Sequence, residues 1–188
     1  IDPSVTTMDE KRPKKLTRRA FLRWGLIAVP VIVAGDAFLI EPRFVKVRHL
    51  RVAAEGAPRR LVHITDLHYK GDRKYLARVV NRINALSPEF VCLTGDIVDS
   101  RAFQDEALDI LGRINAPVFA VPGKHEHWSG ISLSAIDSAL RAGGGGLLVN
   151  ESKTFGDDIE IVGVDDLLGG APQIPERAET PPGARSIL

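Results

Sequence analysis

LVHITDLH at 61–68, FVCLTGDIVD at 90–99 and PVFAVPGKHE at 117–126 share one arrangement. Each is a short apolar run that stops at residues able to bind metal or move a proton. Short apolar runs bounded by turn signals read as buried strands. The intervals between them carry helical spacing. Leu76, Val79, Val80, Ile83 and Leu86 recur on one helical face, and Ser87-Pro88 closes that run. Phe103, Ala107, Ile110, Leu111 and Ile114 mark a second helix, and Leu133, Ile136, Ala139 and Leu140 a third. Strands alternating with helices predict an α/β fold of parallel βαβ units. Further strands are expected at 147–150 and 159–164, and Ser186 and Ile187 read as the opening of another. The Gly- and Pro-rich segment 165–183 is expected to be irregular.

In such sheets ligands bind beyond the carboxyl ends of the strands. The residues standing there are Asp66 and His68 after the first strand, Asp96 and Asp99 after the second, and Lys124, His125 and Glu126 after the third. About thirty residues separate one set from the next, the length of a βαβ unit. Neighbouring strand ends then converge on one crevice. Mixed Asp and His donors suit zinc, manganese or iron, and the lack of thiolates there excludes a zinc-finger site. Two ions about 3.5–4 Å apart can clamp a phosphate and activate water.

Asp-x-His, then Gly-Asp-x-x-Asp, then a Gly-x-His-Glu block, in that order, resembles the signature of calcineurin-like metallophosphoesterases. The subgroup it is most similar to is that of membrane-anchored bacterial phosphodiesterases. The resemblance implies the N-terminal part of a β-sandwich flanked by helices, and hydrolysis of phosphodiesters or phosphomonoesters at a dinuclear centre of manganese, iron or zinc. It implies that Asp66 and His68 bind the first ion and that Asp96 bridges both. His125 would stand near the leaving-group oxygen as general acid or as an electrostatic aid. Asp99 and Glu126 would orient those groups from behind.

Two departures from the family pattern stand out. Lys124 occupies the position of a family Asn whose carbonyl binds the second ion, and an ammonium has no lone pair to offer. Lys124 as a fixed positive charge in place of that ion, a weakened second site, and a single-residue sequence error are all open. The family also draws further histidines from later motifs, and after His127 this sequence has none. The expectation is of a chain that stops before those motifs.

The N-terminus reads as an address. Residues 17–23, Thr-Arg-Arg-Ala-Phe-Leu-Arg, resemble a twin-arginine export signal. The segment 24–40 is apolar but for Asp36, at the short end of what spans a membrane. Gly35-Asp36-Ala37 is a poor cleavage site, so an uncleaved transmembrane or signal-anchor helix is expected. The expected organisation is a basic region over 1–23, the anchor over 24–40 and the phosphoesterase domain over 41–188. The positive-inside tendency holds the basic flank in the cytoplasm, so the domain would lie on the extracytoplasmic side of a bacterial cytoplasmic membrane. Its partners would be a phosphate-ester substrate, the membrane and the twin-arginine machinery.

The remaining features bound the alternatives. A net charge of +1 gives no reason to expect nucleic acid. A basic nucleic-acid-binding arm on an unrelated α/β domain is disfavoured by the apolar segment that follows it. A catalytically incompetent, membrane-tethered remnant or binding module is the competing function. Residues 44–52 alternate as a half-exposed strand does. Cys92, the single cysteine, reads as a core residue. His63 reads as packed or hydrogen-bonded and His49 as solvated. His127 and Trp128 read equally as pocket lining or as structural. The acidic pairs at 157–158 and 165–166 read as solvated turns.

Overall fold

Three parallel strands carry the sequence motifs, and the computed structural model shows how they are assembled. It describes residues 17–19, 24, 26, 28–31, 45–51, 59–175 and 185–187. The chain divides into two units, 1–49 and 50–188. The second contains all the elements named below.

β1 (Leu61–Thr65), β2 (Phe90–Thr94), β3 (Val118–Val121) and the short β4 (Gly146–Leu147) form a four-stranded parallel sheet in that order. Helix α1 (Arg73–Leu86) joins β1 to β2 and α2 (Gln104–Leu111) joins β2 to β3. Between β3 and β4 lie the five-residue α3 (Lys124–Trp128) and α4 (Leu133–Ala142). A second sheet holds β5 (Glu151–Phe155), β6 (Ile159–Gly163) and β7 (Arg185–Ile187). β5 and β6 are antiparallel, whereas β7 runs parallel to β6.

Local chemistry sets the helix ends. Asp72 accepts a hydrogen bond from the Tyr75 N–H and starts α1. Ser87 ends it in the left-handed region (φ 47°), just before Pro88. Ser132 starts α4 by accepting from the Ala135 N–H. The stripes predicted from spacing are the buried ones: Leu76, Val79, Val80 and Ile83 in α1, Ala107, Ile110 and Leu111 in α2, Ile136 and Leu140 in α4. Ile114 is buried too, but beyond the end of α2.

One core lies between the two sheets. Phe90 and Phe119 of the parallel sheet meet Ile159 and Ile161 of the other, with Leu148 between. Phe155 adds its ring, 4.8 Å from that of Phe90 and 6.0 Å from that of Phe119. Fully burying each such side chain stabilises the fold by about 1.5–3 kcal/mol. Cys92 packs against this cluster, and burial pushes its thiol pKa up. Two sheets joined by an apolar layer, with helices between the parallel strands, are the α/β arrangement expected.

Arg59 ties the beginnings of three elements together. Its guanidinium donates to Glu89 before β2 and to Asp158 in the β5–β6 turn. The hydrogen bond from Arg59, aided by the Arg60 N–H, holds the Glu89 carboxyl below its usual range. A depressed carboxylate contributes stability above its unfolded pKa and loses it as pH falls through the folded value. Arg59→Ala is therefore expected to lower the thermal midpoint at pH 7, with the difference from the parent closing in acid below the carboxylate range. Thermal melts across pH 2–7 check this, and a difference that persists in acid counts against it.

The structure departs from the sequence reading in three elements. The strand expected over 147–150 is only Gly146–Leu147, and 148–150 lie beyond it. Residues 45–51 form no strand, because alternation yields a strand only where a partner supplies hydrogen bonds, and no described pairing reaches them. β5 was hidden because its sequence, ESKTF, offers one large apolar residue; pairing with β6 holds it. Among the described residues no helix is long and apolar enough to cross a membrane. Most of the expected basic region and anchor over 1–40 lies outside the described residues.

Candidate metal centre

The site is assembled from three strand-end turns that bond to one another through the backbone. The His68 N–H donates to the Asp96 carbonyl at 2.8 Å and the Tyr69 N–H to the Ile97 carbonyl at 3.0 Å. The Asp99 N–H returns a bond to the Tyr69 carbonyl, and the Gly95 N–H reaches the Val121 carbonyl. The turns after β1 and β2 thus continue the ladder beyond the strands.

Five non-glycine residues among those described have positive φ, and three of them are sequence-predicted ligands: Asp66 (52°), His68 (42°) and Asp96 (49°). Such conformations cost of order 1–3 kcal/mol each and persist where surroundings over-determine them. Glu126 supplies much of that determination. It is 1% exposed, and its carboxylate accepts from the N–H groups of Asp96, Ile97 and Gly123 at 2.8 Å and of Val98 at 3.3 Å. One buried side chain therefore clamps the second turn to the third. The glycines of both motifs allow this approach. A Cβ on Gly95 would lie 2.7 Å from the Gly123 Cα, and one on Gly123 would collide with the Asp96 backbone nitrogen.

These turns bring His68, Asp96 and His125 together, with one donor atom from each within 4.8 Å of the others. His68 Nε2 is 3.4 Å from Asp96 Oδ2. The two imidazoles meet edge to face at 4.7 Å between centroids. The other Asp96 oxygen, Oδ1, accepts from the His125 N–H at 2.9 Å. Asp99 Oδ1 stands behind both rings, 3.3 Å from His68 Nδ1 and 4.0 Å from His125 Nδ1. His125 Nδ1 is buried and has no hydrogen-bond partner. A buried polar atom without a partner requires an explanation, and a ligand is one. Two imidazoles and a carboxylate with an orphaned ring nitrogen fit a divalent cation.

Asp66 sits at the mouth. Its side chain is 63% exposed, Oδ1 is 4.0 Å from His68 Nε2, and Oδ2 accepts from the Thr65 hydroxyl. Lys124 turns to Trp128, with its ammonium 4.9 Å from the indole centroid. His63 bonds the Thr94 hydroxyl at 2.8 Å and is not part of the cluster; His49 is exposed.

His127 proves to be a structural participant, and Asp165 is not the solvated turn residue expected. His127 Nε2 is 2.7 Å from Asp165 Oδ1, and their side chains are 17% and 6% exposed. Burial tends to raise the Asp165 pKa, but bonds from the Ala171 N–H, His127 and the Asp166 N–H outweigh it and hold the carboxyl below its ordinary value. The partners are 38 residues apart, so no local pattern announces the pair. Asp166 does cap its turn, accepting from the Leu168 and Gly169 N–H groups.

The chain has relatives among known proteins. The chain is 27% identical over 181 residues to the uncharacterized metallophosphoesterase YkuE of Bacillus subtilis (strain 168), covering 85% of this chain and 63% of that protein. It is 26% identical over 117 residues to the uncharacterized metallophosphoesterase Cj0846 of Campylobacter jejuni, covering 58% of this chain and 30% of that one. The chain thus spans less than two thirds of the length of these curated relatives. Among solved structures, TT1561 of Thermus thermophilus superposes with a TM-score of 0.48 at 15% identity, over 65% of this chain and 56% of that one. The sequence model of the calcineurin-like phosphoesterases matches residues 59–183, well over half of the chain and the whole of the strand-end site. The chain belongs to the calcineurin-like phosphoesterase family.

Proposed function

We propose that this protein hydrolyses a phosphate ester at a divalent metal centre built on the ends of β1, β2 and β3. The observation that carries the reading is the convergence of His68, Asp96 and His125, with the buried, unpartnered His125 nitrogen among them. Metallophosphoesterases form a hydrolase family, and that much holds for this chain at the family level.

In this reading Asp66 and His68 hold one ion. Asp96 would contribute to it and to a second ion, with manganese, iron or zinc as candidates. A bound divalent ion supplies Lewis acidity to the phosphoryl oxygens and lowers the pKa of water. The chain's own groups do the rest. Asp99, 3.3 Å from His68 Nδ1, orients that ring and favours the tautomer whose Nε2 lone pair faces Asp96. Glu126 fixes the Asp96 turn, and with it the distance between the carboxylate and His68. His125 would stand near the leaving-group oxygen, as general acid or as an electrostatic aid. The experiment is hydrolysis of bis-p-nitrophenyl phosphate by the full chain, with and without added manganese. Turnover that ignores manganese and survives chelation sinks the reading.

A second reading, a weakly active or purely binding module, is favoured by Lys124. Its ammonium offers no lone pair and lies over Trp128, so the position contributes no ligand. Lys124→Asn is expected to raise the number of ions bound per chain, measured by elemental analysis after dialysis. An unchanged number means that position 124 does not face the second ion.

The basic 1–23 region and the apolar 24–40 segment support placing the domain, 41–188, outside a bacterial cytoplasmic membrane by twin-arginine export. With Arg18 and Arg19 both changed to lysine, a reporter fused after Glu41 should stay inside. A reporter that still appears outside removes that route.

A further inference from the structure

The pair formed by His127 and Asp165 lies outside the metal cluster, yet it sits on the helix that delivers His125. Helix α3 has only five residues, too few to hold an orientation by its own hydrogen bonds. It is gripped instead from two sides. Glu126 binds it to the β2 and β3 turns. The next residue, His127, binds it to the segment after β6. His125 lies beside both grips; its ring meets His68 edge to face, and its Nδ1 has no hydrogen-bond partner.

The segment that receives His127 is built to be rigid. Asp165 Oδ2 accepts from the Ala171 N–H at 2.9 Å and Oδ1 from the Asp166 N–H at 2.8 Å. Asn150, held at φ 57°, accepts from the N–H groups of Asp165 and Gln173 and donates to the Ala171 carbonyl. Gly169 lies so close that a Cβ there would be 3.0 Å from the His127 Cβ. A loop serving only as a connection needs no such fastening to a short helix.

We propose that His127 and Asp165 are positioning residues: their bond sets the orientation of α3 and thereby aims the His125 imidazole at the cluster. The inference rests on the metal-centre reading for its functional consequence, but the aiming of His125 can be measured without metal.

Asp165→Asn weakens the bond to His127. Asn150→Ala loosens the same loop while leaving that bond's two partners intact, and so controls for loop stability. In the full, metal-free chain, imidazole NMR of selectively labelled histidine should show the His125 resonance shifted or broadened by Asp165→Asn and little changed by Asn150→Ala. Cobalt(II) titration should show about a tenfold loss of affinity for Asp165→Asn, at the low end for groups that orient ligands. Asn150→Ala should lose less, even where it lowers the thermal midpoint by as much. Equal effects of the two variants on the His125 resonance, or an unmoved resonance in Asp165→Asn, overturn the proposal. If the parent chain takes up no cobalt, the metal-centre reading fails, and the His125 resonance alone still decides whether the pair aims the ring.

Discussion

Glu126→Ala is expected to be the most destabilising single change in the site, by about 3–5 kcal/mol, because it strands four backbone donors at once, two of them buried and two half-buried. The N–H groups of Asp96, Ile97, Val98 and Gly123 all end on this one carboxylate, and it is 1% exposed, so water does not readily replace it. Losing one acceptor from a buried donor costs about 1–3 kcal/mol, and the four losses are not additive because the loops relax. Glu126→Gln should cost less. Its carbonyl oxygen still accepts from part of the set, while its NH₂ faces donors it cannot satisfy. Denaturant titration of both variants checks the order Ala worse than Gln. Equal and small losses would show that the clamp contributes little.

Asp96→Asn carries the largest expected effect on function. Asp96 contributes Oδ2 to the cluster, while Oδ1 is already engaged by the His125 N–H. An amide keeps the shape and the backbone contact but removes the charge that attracts a dication. Metal affinity is expected to fall by at least about a hundredfold, beyond the loss seen when a group merely supporting a ligand is changed. Thermal stability without metal should move little, since the amide oxygen can still accept from His125. Isothermal titration with manganese and a melt of the metal-free chain separate the two outcomes. Intact affinity would place the ion elsewhere.

Much of this was legible in the sequence, for a definite reason. Metal ligands at the ends of parallel strands recur at the length of a βαβ unit, so spacing alone gathers Asp66, His68, Asp96, Asp99, His125 and Glu126 on one edge. The α1, α2 and α4 stripes follow from helical periodicity, which is a local property. What was hidden depends on distance. β5 has too few apolar residues to declare itself and exists through pairing with β6. The alternating 44–52 stretch had the pattern, but its described part, 45–51, has no partner strand among the described residues. Asp165 looked like a turn residue because its partner, His127, lies far back along the chain, before α4 and three strands. Glu126 was expected to support the ligands. Its four bonds end on backbone N–H groups and fix the strained Asp96 turn. Lys124 was open between several roles, and its place over Trp128 comes from the i to i+4 geometry of α3.

The most direct measurement follows the five histidines of the full chain during a manganese titration. Paramagnetic broadening falls steeply with distance, so substoichiometric manganese reports which imidazoles surround the ion. The account predicts that His68 and His125 broaden first and together, ahead of His63. Broadening that begins elsewhere, or that touches His68 and His125 no sooner than the rest, would contradict a metal centre at the ends of β1, β2 and β3.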